Sequence, residues 1–205
     1  MIAGAIMRQV FTGVAELYLN PPQESSNPAQ WPLHVTKASA VKSHFAKMAN
    51  YNAWAIARLY GMARDLPDAS YRQGVGAFFS SLHGTLNHLL VTDRIWMSRF
   101  SGIGDQPKTL NAILFQDLAS LAQARQEQDT GIIQFVNGLS DDDIGKFLDY
   151  STTSGIPQRY PLGDLLTHLF NHQTHHRGQA HTILTVLGVE EPLSLDFWVM
   201  LREQT

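Results

Sequence analysis

The sequence contains no cysteine, and this absence excludes a large group of structures and mechanisms. The chain cannot form a disulfide, build a zinc site from thiolates, or use a thiol of its own as a nucleophile. Any thiol that takes part in its chemistry must therefore come from outside. The lack of disulfides also agrees with a reducing compartment, so we expect a cytoplasmic protein.

Runs of basic residues and long apolar runs are also missing. The formal charge is −3 and the lysines and arginines are scattered, so we expect no nucleic-acid partner. No window approaches the roughly 18 consecutive apolar residues that span a bilayer, so we expect no membrane span. The apolar start is broken by Arg8 and Glu16 and does not resemble a signal peptide.

Residues 1–35 are expected to form an N-terminal extension. Apolar residues at helical spacing predict a short helix that ends at Asn20, followed by a proline-rich connector over 21–33. Binding of that helix to a membrane surface is the alternative. We assign no function to the extension.

Residues 36–205 are long enough, and apolar enough, to form one domain with a substantial core. Apolar residues three and four positions apart predict four long helices, and strand-like runs flank a turn-rich loop at 151–155. We therefore predict an all-α four-helix bundle with a small β-hairpin-like connection before the last bundle helix. The predicted helices cover about 36–64, 76–100, the segment from Pro107 to Leu139, and 161–188.

The last of these helices holds five of the nine histidines within eighteen residues. Residues four apart are neighbours on a helix, so two such histidines can bind one metal ion. That spacing occurs twice, in His168/His172 and in His172/His176, while His172/His175 has the i,i+3 spacing. Helical geometry thus implicates His172 without choosing its partner.

A third ligand would come from the second helix, where His83 and His88 are the candidates and spacing does not decide between them. His88 lies about 120° from the apolar stripe of that helix, which argues for exposure unless the helix faces two neighbours. The alternative for all these histidines is a solvated or core-bonded side chain without metal.

Two acidic residues have two interpretations each. Asp93 lies within an apolar stripe, and either bonds a backbone group or an arginine at the bundle edge, or acts near the metal. Asp164 lies four residues before His168, and either orients its ring or is an acid favoured by the helix dipole.

The motifs of several metalloenzymes are absent. The chain has no His-Glu-x-x-His and no Glu-x-x-His sequence, so a zincin protease and a carboxylate-bridged di-iron bundle do not fit. What fits is a mononuclear site with three histidines and open positions. Such a site predicts one divalent transition metal per chain, with zinc, nickel and iron all compatible.

Three motifs resemble the DinB family of the DinB/YfiT-like metalloprotein superfamily, over about residues 36–201. The resemblance implies a four-helix bundle that holds a divalent metal through one histidine of the second helix and two of the last, which fall on His88, His172 and His176. It leaves His83, His168 and His175 as neighbours. The motifs are Tyr51-Asn52-Ala53-Trp54 with Arg58-Leu59, Gly84-Thr85-Leu86-Asn87-His88 with Asp93 and Trp96, and Asn171-His172 with His176-Arg177-Gly178-Gln179.

The resemblance also implies a function. Related enzymes use the metal with a low-molecular-weight thiol and a small electrophilic substrate, so we expect an S-transferase type of reaction in detoxification or stress response. Arg177 or another base would assist, unless Arg177 pairs with an acid such as Asp93. The alternatives are a non-catalytic metal-binding stress-response module and a metal-dependent hydrolase. Members of the family are often dimeric.

Overall fold

A computed structural model describes residues 37–104 and 106–204 of the chain. The predicted N-terminal helix and connector lie outside these residues. In chain order the helices and strands are α1 (Lys37–Arg64), α2 (Asp68–Arg72), α3 (Leu82–Ser101), α4 (Leu118–Gly138), α5 (Asp141–Gly145), β1 (Phe147–Ser151), β2 (Pro157–Pro161), α6 (Leu162–Val186) and α7 (Phe197–Glu203).

The four long helices α1, α3, α4 and α6 pack against one another as a bundle, which confirms the predicted fold class. Two clusters of buried apolar side chains fill the space between them. One cluster holds Leu59, Leu86 and Leu184, and the other holds Phe45, Val136 and Leu166. Burial of such side chains is the main driving force for the fold.

Helix α3 begins six residues later than predicted. Ser81 caps its first turn by accepting a hydrogen bond from the backbone N–H of Gly84, at 3.1 Å. Before the cap, residues 76–81 form a tight turn with positive φ angles at Gly76 (76°) and Ser80 (68°). Apolar residues in this turn continued the helical pattern, so periodicity alone placed the start too early.

Helix α4 also begins later than predicted, at Leu118 instead of soon after Pro107. Its cap is Asp117, whose carboxylate accepts from the N–H of Ser120 at 2.7 Å. The segment before the cap is tied to α3, because Asn87 Oδ1 accepts from the N–H groups of Leu114 and Phe115. That tertiary contact competes with helix formation in the segment.

The predicted hairpin is present as the antiparallel pair β1 and β2. Its register pairs Leu148 with Tyr160 and Tyr150 with Gln158, so both tyrosines lie on the same face of the ribbon. The hairpin ends at Pro161, which is the N-cap of α6. It therefore delivers the chain directly into the histidine-rich helix.

Across residues 37–104 and 106–204, no helix has the length and apolar character required to cross a membrane.

Candidate metal centre

Three histidines from two helices converge between α3 and α6. His88 belongs to α3, and His172 and His176 lie one turn apart on α6. One ring nitrogen of each lies within 4.8 Å of the other two, and Nε2 of His88 lies 3.2 Å from Nε2 of His176. His88 and His176 are buried and His172 is half-buried. The structure thus brings together the three residues that the resemblance selected.

His88 is buried, because the condition under which the helical wheel allows burial is met: its helix faces two neighbours. Helix α3 packs against both α4 and α6, so two of its faces are covered. His88 is 2% exposed, and Thr85 and Ile95 on the same face are equally buried.

Hydrogen bonds fix the protonation of two of the three rings. Nδ1 of His88 lies 2.7 Å from the carbonyl oxygen of Leu110, and Nδ1 of His176 lies 2.7 Å from Oε1 of Gln179. Both oxygens can only accept, so each Nδ1 carries the hydrogen. The Gln179 amide nitrogen lies 3.1 Å from Nε2 of His175, which agrees with this orientation of the amide. In the neutral rings, Nε2 of His88 and Nε2 of His176 therefore both present lone pairs.

Burial keeps these rings neutral. It lowers the pKa of His88 to about 4 and, together with repulsion from His176 and His88, lowers the pKa of His172 to about 3. Burial lowers the pKa of His176 as well. The three imidazoles are therefore neutral at neutral pH. Neutral imidazole is the form that binds metals.

The donor set fits a divalent transition metal. Two nitrogens bound tetrahedrally at about 2.0–2.1 Å from one ion lie about 3.3 Å apart. The separation between the facing Nε2 atoms is 3.2 Å. In addition, the buried Nδ1 of His172 has no hydrogen-bond partner in the described part of the chain. A cation bound by all three rings would lie between the two facing lone pairs and remove their mutual repulsion.

An aromatic ring covers part of this cluster. Phe79 stacks on His88 with ring centroids 3.7 Å apart, and its ring lies 5.6 Å from that of His176. Its position depends on Gly84, where a Cβ atom would lie 2.1 Å from the carbonyl oxygen of Phe79. Sequence reasoning missed Phe79, although the Phe78-Phe79 pair shortly before the helix was a visible signal.

The other candidate histidines lie outside the group of three. His83 Nε2 bonds the carbonyl oxygen of Phe115 at 3.0 Å. His168 packs on Trp96, and its ring centroid is 5.9 Å from that of His172. His175 bonds the Gln179 amide and its ring packs edge-on against that of His176, with centroids 4.7 Å apart, but it is not one of the three converging residues.

The two acidic candidates have structural positions. Asp164 lies in the first turn of α6, and no hydrogen bond joins it to His168 in the described residues. Asp93 is fully buried and forms an ion pair with Arg125 at 2.6 Å. The interpretation of Asp93 as the partner of an arginine is confirmed, although the pair lies inside the bundle and not at its edge.

Asp93 belongs to a buried polar layer that separates the two apolar clusters. Arg125 also bonds Asp129 at 2.7 Å, and the amide of Gln173 donates to Asp93 and to the carbonyl oxygen of Leu89. The layer draws one or two side chains from each bundle helix and lies next to the histidines, since Gln173 follows His172. Its members are Asn52, Asp93, Arg125, Asp129, Gln173 and Arg177.

Arg177 does not pair with Asp93, so that expectation is wrong. Its guanidinium donates to the side-chain oxygens of Asn52 and Thr174 and lies 4.8 Å from the ring of Tyr51. A guanidinium has no acceptor site and stays protonated, and none of these bonds reaches the three histidines. Arg177 is therefore placed as a member of the polar layer and is not positioned as a base.

Comparisons with known proteins agree with this fold. A model of the DinB family matches residues 36–202. Protein DinB of Bacillus subtilis (strain 168) is 27% identical over 160 residues, which cover 71% of this chain and 88% of that protein. The crystal structure of a DinB-like protein from Bacillus cereus ATCC 10987 superposes with a TM-score of 0.54 at 21% identity, covering 75% of this chain and 95% of that one. At that identity, the structural likeness shows the fold alone.

Proposed function

This chain belongs to the DinB family, and from that premise we propose that it is a metal-dependent enzyme of the thiol-transfer type. In this proposal His88, His172 and His176 hold one divalent transition metal per chain, with zinc, nickel and iron compatible with imidazole ligands. The co-substrates are a low-molecular-weight thiol and a small electrophile. Detoxification or stress response is the setting in which such a reaction would serve the cell.

The opposed lone pairs of His88 and His176 are the observation that carries the metal part of the proposal. They lie 3.2 Å apart, and each ring is held in that tautomer by an acceptor at its other nitrogen. Such outer hydrogen bonds orient histidine ligands in metalloproteins and make them more basic. A divalent ion at this position would lower the pKa of a bound thiol toward neutrality.

The chain's own residues would orient and shield the reactants. The Leu110 carbonyl and the Gln179 amide hold two imidazoles in the tautomer that carries its hydrogen on Nδ1, so that both Nε2 atoms are aimed at one point. Phe79 stacks on His88 and keeps water from that side of the ring. Because the chain has no cysteine, the sulfur must belong to a diffusible thiol. In the transfer, the thiol gives its proton to solvent, its sulfur bonds the electrophilic carbon, and the leaving group departs with its electron pair.

The test is a panel of small thiols and electrophiles, incubated with metal-loaded wild-type protein, chelated protein and two variants. Loss of free thiol and formation of the thioether are followed by a thiol-reactive dye and by mass spectrometry. We expect thioether formation that stops on chelation and in His176→Ala. The matched control is His181→Ala, on the same helix, whose ring bonds the carbonyl oxygen of Leu193 and which should keep full activity.

Other outcomes of the panel contradict the proposal. Metal-dependent cleavage of the electrophile without loss of thiol would identify a hydrolase instead. Bound metal with no turnover of any pair would favour the non-catalytic metal-binding module. Equal activity with and without metal would show that the metal takes no part in the reaction.

A further inference from the structure

A cavity lies beside the candidate metal centre, where the hairpin meets α3 and α6. Its volume is about 250 Å³, slightly below the range of roughly 300–1,000 Å³ typical of sites for drug-sized ligands. It can therefore hold a small molecule or one part of a larger one. We call it the aromatic subsite, and its walls are Trp96, Tyr150, Tyr160, Asp164, Leu165 and His168.

Ring contacts run without a break from this subsite to the histidine cluster. The Tyr150 ring lies 5.4 Å from that of Trp96, which lies 5.0 Å from that of His168. The His168 ring in turn lies 5.9 Å from that of His172, a member of the cluster. A molecule that fills the subsite against His168 is thus next to the candidate metal centre.

Arg99 lies against two of the rings that line the subsite. The guanidinium of Arg99 lies over the rings of Trp96 and Tyr150, at 4.6 and 5.1 Å from their centroids. In the part of the chain that the structure describes, Arg99 has no ion pair and no hydrogen bond, and its Nε is buried without a partner. By contrast, the buried Arg125 bonds two carboxylates.

An arginine in this state is a receptor for a carboxylate. Partial burial costs a charged group part of its hydration, and here it lowers the pKa of Arg99. The planar guanidinium presents paired donors that match the two oxygens of a carboxylate. The two rings beneath it fix its plane and offer flat apolar surface to the rest of the ligand.

The charges of the subsite also set the direction in which a ligand would lie. Asp164 is exposed on its wall, one turn before His168 on α6. Its negative charge disfavours a second anion at that position. The anionic end of a ligand is therefore directed to Arg99 and away from Asp164.

We propose that Arg99 and the aromatic subsite bind the carboxylate-bearing part of a small substrate, with an apolar or aromatic portion lying between Trp96, Tyr150 and His168. This inference rests on the proposed function, which identifies the reactive end of the substrate. That end would point toward His172. The inference narrows the substrate class to small organic acids, whether the acid is the thiol or the electrophile.

The experiment compares two probes of nearly the same shape, 3-phenylpropionate and 3-phenylpropionamide, of which the second is neutral and carries an NH2 group in place of one carboxylate oxygen. Binding to wild-type protein is measured by titration calorimetry, both metal-loaded and chelated. A charge-assisted bidentate contact predicts that the carboxylate binds about tenfold more tightly than the amide, with or without metal. Binding is measured without any turnover. The absence of activity in the thiol panel is therefore distinguishable from the absence of carboxylate binding at the subsite.

Variants test whether Arg99 causes the preference for the carboxylate. Arg99→Gln should abolish the preference, and Arg99→Lys should keep part of it, because lysine retains the charge without the planar fork. Arg94→Gln is the matched control on the same helix, since the guanidinium of Arg94 lies on Phe115 instead. Far-UV circular dichroism checks that each variant is folded. If Arg99→Gln is not folded, the test is made with Arg99→Lys alone.

Two results would overturn the inference. The first is equal binding of the two probes by wild-type protein, or binding of neither. The second is a preference for the carboxylate that survives in folded Arg99→Gln protein, and if this preference vanishes on chelation, the metal is the anion's partner.

Discussion

Removing the arginine at the centre of the polar layer should cost a large part of the protein's stability. Arg125 is 1% exposed and joins the fully buried Asp93 of α3 to Asp129 of its own helix, at 2.6 and 2.7 Å. In Arg125→Met the apolar volume is retained, but two carboxylates lose their only cationic partner among the described ion pairs. Breaking a buried pair in this way typically costs about 3–5 kcal/mol.

That cost is large against a total stability of about 5–15 kcal/mol for a typical domain. With a urea m-value of about 2 kcal/mol/M, it moves the unfolding midpoint down by roughly 1.5–2.5 M. The assay is urea denaturation of the chelated protein, followed by far-UV circular dichroism. The matched control is Arg159→Met, whose pair with Asp149 is 3.4 Å long and largely exposed, and which should cost at most about 1 kcal/mol.

The loss should also depend on pH. Burial already raises the pKa of Asp93 to about 6, from 3.8 when unfolded, and Arg125 opposes that rise. A raised pKa means that folding takes up a proton, so this contribution is present below pH 3.8 and is lost as the pH rises through about 6. Without Arg125 the pKa of Asp93 rises further. Relative to wild type, Arg125→Met should therefore lose more stability at pH 8 than at pH 5.5. A loss equal to that of Arg159→Met, or one that does not change with pH, would refute the reasoning.

Three further predictions concern the histidine cluster and its supports. Gln179→Leu removes the acceptor that holds His176 and should weaken metal binding about 10–100-fold in competition with a chelator, whereas Gln179→Glu should retain it. Gly84→Ala places a Cβ atom 2.1 Å from a backbone carbonyl oxygen and should cost about 1–3 kcal/mol in thermal unfolding, while Gly131→Ala, with no atom within 4 Å, should gain up to about 1 kcal/mol. In chelated protein His88 has a folded pKa of about 4, below the unfolded value of 6.5, so its contribution is complete above pH 6.5 and is lost as the pH falls toward 4. Urea titrations should show that wild-type protein loses on the order of 2 kcal/mol relative to His88→Ala between pH 7 and 5, and a difference that does not change with pH would contradict the burial of that ring.

Local signals were sufficient to predict part of the fold. Helix α6 begins after Pro161 and ends just before Gly188, as these residues indicated. The turn residues at 151–155 marked the hairpin between its two strands, and Gly155 has the positive φ of 81° that such a turn uses. In these segments, local chemistry and tertiary packing favour the same conformation.

Tertiary contacts decided what the sequence left open. The i,i+4 spacing is satisfied by His168/His172 and by His172/His176. Which pair faces His88 depends on where along its length α6 is crossed by α3. At that crossing His88 meets His176, whereas His168 meets Trp96. The sequence predicted an arginine partner for Asp93 but not which arginine, since Asp93 and Arg125 are 32 residues apart, and the rest of the polar layer was missed because its contacts form only when the helices pack.

The central claim is that His88, His172 and His176 hold a metal ion, and elemental analysis of the purified protein tests it most directly. We expect about one divalent transition-metal ion per chain in wild type, and close to none in each of the three single alanine variants. Circular dichroism should show that the helices survive in all of them. His83→Ala and His168→Ala are the controls and should keep their metal. Full metal content in the three variants would contradict the account, as would a wild-type protein that binds no divalent ion when one is supplied.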